Sequence, residues 1–255
     1  MDPDCGERLS VKKWHLWLAL TQAVFASTAF ASSPSHELAS LHVQLAFEYA
    51  KVGQFSMALE SAERAVAMDS FYAPAWLARA HVESVLAHDV AAERDFRQAL
   101  TLSPNNAEAN NNFGQFLCER GRTDEAMLFF NSALTDPMYA TPQTAYFNLG
   151  RCSRMQNQLE QAKHYLLSAL RLAPDYVPAL KELAALYLKQ GSVKLATFYY
   201  SRLIKYAETL GPDDLLIGVK VARLSGDRVR EARYAAMLQS RYPDSKETQQ
   251  LLSGT

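Results

Sequence analysis

Six histidines, three cysteines and a recurring set of asparagines and basic residues are the side chains of this 255-residue chain with the most chemistry to offer. His15, His36, His42, His81, His88 and His164 are scattered, and only His36 and His42 approach a metal-binding interval. No His-Glu-x-x-His, Gly-x-Ser-x-Gly or phosphate-cradling glycine loop occurs, and no acid, base and nucleophile set assembles along the chain. The expectation is a non-enzyme with no catalytic residue, no metal and no cofactor. The cysteines offer redox chemistry instead. Cys118 and Cys152 lie 34 residues apart, and in an oxidising compartment a bridge between them would persist. The alternative is two buried thiols acting as small apolar groups.

The formal net charge is −1, which argues against a general nucleic-acid binder, since that would need a basic stripe. One apolar run approaches membrane-spanning length. Lys12 and Lys13 precede it, it extends from Trp14 to Phe30, and small residues stand at Ala29 and Ala31. A positive flank, an apolar centre and small residues at −3 and −1 make a secretory signal, with cleavage expected after Ala31. An uncleaved anchor helix is the alternative. Cys5 precedes the run and no cysteine follows it directly, so export without a lipidated cysteine is expected.

The elements that position these side chains form an internal repeat. Phe96-Arg97-Gln98-Ala99-Leu100-Thr101-Leu102-Ser103-Pro104 recurs as Leu166-Leu167-Ser168-Ala169-Leu170-Arg171-Leu172-Ala173-Pro174, 70 residues on. Two units of about 34 residues with a two-residue insertion account for that interval. Each unit reads as two amphipathic helices. The first carries a large-small pair, as in Leu45-Ala46, Phe113-Gly114, Leu149-Gly150 and Leu183-Ala184. The second carries small and large residues at intervals of three and four, as in Ala92-Phe96-Ala99, Ala126-Phe130-Ala133 and Ala162-Leu166-Ala169, so that they share a face. Gly53, Gly121, Gly191 and Gly226 fall where a left-handed residue would end the first helix of a pair. Pro74 and Pro178 suit a first helical turn.

This is the tetratricopeptide pattern. The predicted fold is an all-α superhelix of about six helix-turn-helix repeats, roughly a dozen helices and a cap, with essentially no sheet. Residues 1–31 read as an N-terminal extension and signal, 32–38 as a short linker, and 39–244 as six repeats: 39–72, 73–106, 107–142, 143–176, 177–211 and a degenerate 212–244. Residues 245–255 read as a C-terminal tail. First helices are expected to line the inner groove, where side chains not used in packing would meet a partner. Those are Phe47, His81, Asn111, Asn112, Gln115, Phe147, Asn148, Arg151, Arg154, Lys181 and Lys189. Asn112 and Asn148 share one repeat position, and an amide there offers both donor and acceptor to a bound backbone. The alternative is an asparagine that belongs to the repeat alone. Arg151, Arg154 and Lys181 give the groove a mildly positive middle suited to a carboxylate, or else a solvated surface.

Asn111-Asn112-Phe113-Gly114-Gln115-Phe116-Leu117-Cys118, followed by Gly121 and Glu125-Ala126, resembles the PilW/PilF family of type IV pilus biogenesis and stability proteins. Tyr146-Phe147-Asn148-Leu149-Gly150-Arg151-Cys152 is similar to the family's fourth unit. The resemblance implies a protein-binding scaffold in the periplasm, at the inner face of the outer membrane. It would assist assembly or localisation of the pilus secretin and stabilise pili. The missing lipidated cysteine is a departure that bears on outer-membrane association. Another periplasmic repeat adaptor, coordinating cell-wall or envelope machinery, is the second reading.

Overall fold

The computed structural model describes residues 34–253, and among these there are thirteen α-helices, one 3-10 segment and no strand. The expected signal segment, its cleavage point and Cys5 lie outside the described residues. The helices are α1 (Pro34–Lys51), α2 (Phe55–Met68), α3 (Ala73–Val85), α4 (Asp89–Leu102), α5 (Ala107–Glu119), α6 (Thr123–Ala133), α7 (Pro142–Met155), α8 (Leu159–Leu172), α9 (Val177–Lys189), α10 (Val193–Leu203), α11 (Pro212–Leu224), α12 (Arg228–Arg241) and α13 (Lys246–Ser253). The 3-10 segment, Ile204–Thr209, follows α10. Consecutive helices pack as six antiparallel pairs, and α13 packs against α11 and α12 at the C-terminal end. None of the described helices is long and apolar enough to cross a membrane.

The alternation of small and large residues builds the pairs. On α8, Ala162, Leu166, Ala169 and Leu170 are buried, at intervals that keep them on one side of the helix. The alanines let the backbones approach, and the leucine fills the neighbouring helix's notch. Gly150 on α7 is that notch, since a Cβ there would lie 2.8 Å from Leu166 Cγ. Gly114 on α5 receives Phe130 in the same way, also at 2.8 Å.

The turn within each pair needs a left-handed residue. Gly53, Gly121, Gly191 and Gly226 supply it with φ between 70° and 78°, as their spacing predicts. Ala87 and Asn157 adopt the same conformation in the second and fourth pairs. Asparagine tolerates this region through its short polar side chain, whereas alanine carries a steric cost there.

Two boundaries differ from the sequence reading. Helix α1 begins at Pro34, so residues 34–38 extend the first helix and are not linker. Ala39 is the first fully buried residue of α1, and in the turn before it His36 lies 2.8 Å from the Asp69 carboxylate. The expected tail contains α13, anchored where the Thr248 hydroxyl donates to the Tyr242 carbonyl at 2.7 Å. Its buried Glu247 and Thr248 cover the end of a last pair whose α12 buries only Tyr234 and Leu238. A terminal repeat has no neighbour to cover it, and a short capping helix meets that need.

Most connections between pairs take four residues, such as 103–106 and 173–176. The links from α6 to α7 (134–141) and from α10 to α11 (204–211) are longer, and each follows a second helix of only 11 residues. Pro137 lacks an N–H and disfavours helical geometry at Asp136, and the Asp136 carboxylate accepts from the Met138 N–H at 2.8 Å. The second long link bends at Tyr206, whose φ and ψ are −103° and 34°.

Candidate functional site

The first helices α1, α3, α5, α7, α9 and α11 form one wall of the stack, and the side chains they leave exposed define the candidate binding groove. Phe47, His81, Gln115 and Arg151 recur at intervals of 34, 34 and 36 residues, one repeat position on successive first helices. The structure brings Phe47 and His81 together, with ring centroids 5.9 Å apart. Removal from water lowers the His81 pKa below the ordinary histidine value, and the Glu119 carboxylate partly opposes that shift. Gln115 donates to Glu119 at 3.0 Å. The Arg151 guanidinium lies 5.8 Å from the Phe147 ring centre, and Phe147 meets Tyr176 edge-on at 5.7 Å.

The asparagines are placed differently from the sequence expectation. Asn111 and Asn148 are only 3% and 4% exposed. The Asn148 amide donates to Asn111 Oδ1 at 3.0 Å, and Asn111 in turn donates to Asn112 Oδ1 at 3.3 Å. Asn111 and Asn148 are thus joined by one hydrogen bond across the packed face between α5 and α7, and their amides are largely buried there. A buried amide left without a partner costs about 1–3 kcal/mol, so mutual pairing is the stable arrangement. Asn112 alone of the three is half-buried at the groove edge.

Cys118 and Cys152 form a disulfide with Cα atoms 5.9 Å apart, joining α5 to α7. Close to it, Gln156 donates to Thr123 Oγ1 at 2.6 Å and to Asp124 Oδ1 at 2.9 Å, tying the end of α7 to the start of α6.

Phe147, Arg154, Lys181 and Lys189 line a single open cavity of about 690 Å³ between α7, α9 and α11. Val177, Pro178, Leu186 and Ile217 supply apolar walls. Two of the three cations expected to make the groove's middle positive have carboxylate partners here. Arg154 pairs with Glu182 at 2.9 Å, and Lys181 pairs with Asp214, which is buried. With Asp213, three carboxylates face three cations. Glu182 carried a sequence signal that went unused. It falls 34 residues after Asn148, at the repeat position of the two asparagines already singled out. Asp214 gave no such signal, because its role depends on α11 lying beside α9.

His36 and His42 do not act together. The His36 Nδ1 lies 2.8 Å from Asp69 Oδ2, and the His36 ring packs edge-on against Tyr72. Among the described residues no group of three or more His, Cys, Asp or Glu side chains is placed to hold a metal ion.

The tetratricopeptide repeat family matches residues 25–154, and a second tetratricopeptide repeat match covers 143–176. Over 214 residues the chain is 30% identical to the type IV pilus assembly protein PilF of Pseudomonas aeruginosa, which covers 84% of each chain. The chain belongs to the PilW/PilF family of tetratricopeptide-repeat proteins. The crystal structure of PilW, described as a widely conserved type IV pilus biogenesis factor, superimposes with a TM-score of 0.74. That match is 39% identical and covers 84% of this chain and 98% of PilW. The structure of Pseudomonas aeruginosa PilF superimposes with a TM-score of 0.75 at 28% identity, over 87% of this chain and 99% of PilF. The six-pair stack is thus the architecture of the PilW/PilF family along nearly its whole length.

Proposed function

We propose that this protein is a periplasmic scaffold of type IV pilus biogenesis, held near the inner face of the outer membrane. It binds a segment of a pilus component, with the pilus secretin as the foremost candidate, and so assists secretin assembly or localisation and pilus stability. The observation that carries the reading is the similarity to PilF and PilW across the whole repeat stack. The groove supports it. Its first-helix wall presents aromatic, amide and charged side chains on a framework stiffened by a disulfide, so binding orders little of the scaffold itself. Export rests on the Lys12 to Ala31 segment.

A clean chromosomal deletion, complemented in trans, tests the function. Surface pili and heat-resistant secretin multimers are expected to fall sharply and to return on complementation. Normal piliation with normal multimers rejects the pilus reading and favours the cell-wall adaptor. Fractionation tests the location, and recovery of most of the chain in the cytoplasm rejects it.

A further inference from the structure

The cavity between α7, α9 and α11 carries an electrostatic pattern that ion pairing leaves over. Arg154 and Glu182 neutralise each other, as do Lys181 and Asp214. Two lining charges remain, Lys189 and Asp213, and neither forms an ion pair among the described residues. They stand at opposite ends of the cavity. Helices α9 and α11 run in the same direction, because α10 returns the chain between them. The pair Lys181–Asp214 sets the first turn of α11 beside the second turn of α9. Asp213 therefore lies about level with Lys181, and Lys189 is the last residue of α9. The eight-residue interval from Lys181 to Lys189 spans about 12 Å at ~1.5 Å per residue. Between these ends the apolar side chains of Phe147, Leu186 and Ile217 lie beside the two ion pairs.

We infer that this cavity binds an extended peptide segment of the protein partner, carrying a basic and an acidic residue four positions apart with apolar residues between them. An extended chain rises about 3.3 Å per residue, so four steps cover the distance between the two free charges. The basic residue meets Asp213, the acidic residue meets Lys189, and the apolar side chains cover the ring of Phe147 and its neighbours. A volume of about 690 Å³ fits a short segment and not a folded domain. The inference rests on the scaffold reading above and names the chemistry of what the scaffold takes.

Random heptapeptides displayed on phage are selected on the immobilised full chain, and recovered sequences are measured as capped synthetic peptides by fluorescence anisotropy. Selection is expected to enrich basic and acidic residues four apart around apolar ones. Lys189→Glu and Asp213→Lys should each weaken such a peptide about tenfold. The double variant should prefer the charge-swapped peptide, and Lys189→Gln with Asp213→Asn should bind either version weakly. Circular dichroism of each variant monitors folding. Selected peptides without that charge pair, or binding unchanged by the reversals in folded protein, overturn the inference. The deletion phenotype is a separate readout. Impaired piliation on deletion together with unchanged piliation in the folded double variant defeats the peptide inference alone, whereas normal piliation on deletion defeats the pilus reading even where peptide selection succeeds.

Discussion

The two long connections of the stack are stabilised in different ways. Between the third and fourth pairs, the link at 134–141 is accompanied by a covalent tie from Cys118 to Cys152 and by the buried amide contact of Asn111 and Asn148. Between the fifth and sixth pairs, the link at 204–211 is accompanied by the Lys181–Asp214 ion pair and by the insertion of Tyr200 against Gly218. Arg241 adds a hydrogen bond to the Ala207 carbonyl at 2.6 Å, and the Tyr242 hydroxyl one to the Leu210 carbonyl at 2.8 Å. Each repeat touches only its neighbours, so a junction that lengthens its loop must be secured locally. The first solution constrains the unfolded chain, and the second depends wholly on contacts in the folded state. The difference should appear in how each junction responds to substitution.

The largest effect is expected at the disulfide. Replacing Cys118 and Cys152 together by alanine removes a bridge across a 34-residue separation. In the chain-entropy model this lowers stability by roughly 3–4 kcal/mol. Urea unfolding of the double variant measures the loss, and amide exchange should show α5 and α7 opening first. Thiol counting on the denatured, unreduced protein checks the bridge itself. Exchange that instead opens first at α9 and α11 would make the other junction the weaker one.

At that other junction the expected effect is smaller. A Cβ on Gly218 would lie 2.1 Å from Tyr200 Oη, and Tyr200 is only 2% exposed and cannot swing clear. Gly218→Ala should cost about 1–3 kcal/mol by overpacking. Tyr200→Leu in the same chain should recover part of that loss, because the fourth pair already fits a leucine against a glycine at Gly150 and Leu166. Thermal unfolding of the single and double variants separates overpacking from a general intolerance of the site.

The smallest effect is expected at the regular junction between the first two pairs, whose connection is only four residues long. His81 packs against Phe47 there, and its pKa is lowered in the fold. A lowered folded-state pKa means that the neutral ring is favoured. Its contribution is fully present above the unfolded value near 6.5 and is lost as pH falls through that value toward the folded one. The melting temperature should thus decline slightly more between pH 7 and pH 5 in the native chain than in His81→Gln. Parallel pH profiles for the two proteins would show that His81 is not linked to folding.

Much of this architecture is legible in local sequence, because a repeat uses the same residue types at the same spacing to solve the same packing problem. The turn glycines, the notch glycines Gly114 and Gly150, the first-turn prolines and the helical pairs all follow from chemistry within one unit. The disulfide was legible for a related reason, since a separation near one repeat length places two side chains on neighbouring first helices. Phe147, Arg154 and Lys181, singled out by residue type, lie together along one cavity. The sequence alone did not reveal how those groups are used. Asn148 donates to Asn111 inside the packed face, and Glu182 and Asp214 cancel the charges of Arg154 and Lys181. Those pairings join residues 28 to 37 positions apart, and they depend on the lateral placement of one helix against the next. Only the tertiary structure fixes which polar groups lose water, which find partners, and which charges remain free to meet another chain. The physical reason is that helix periodicity and turn chemistry act over a few residues, whereas desolvation and ion pairing act across the interfaces that folding creates.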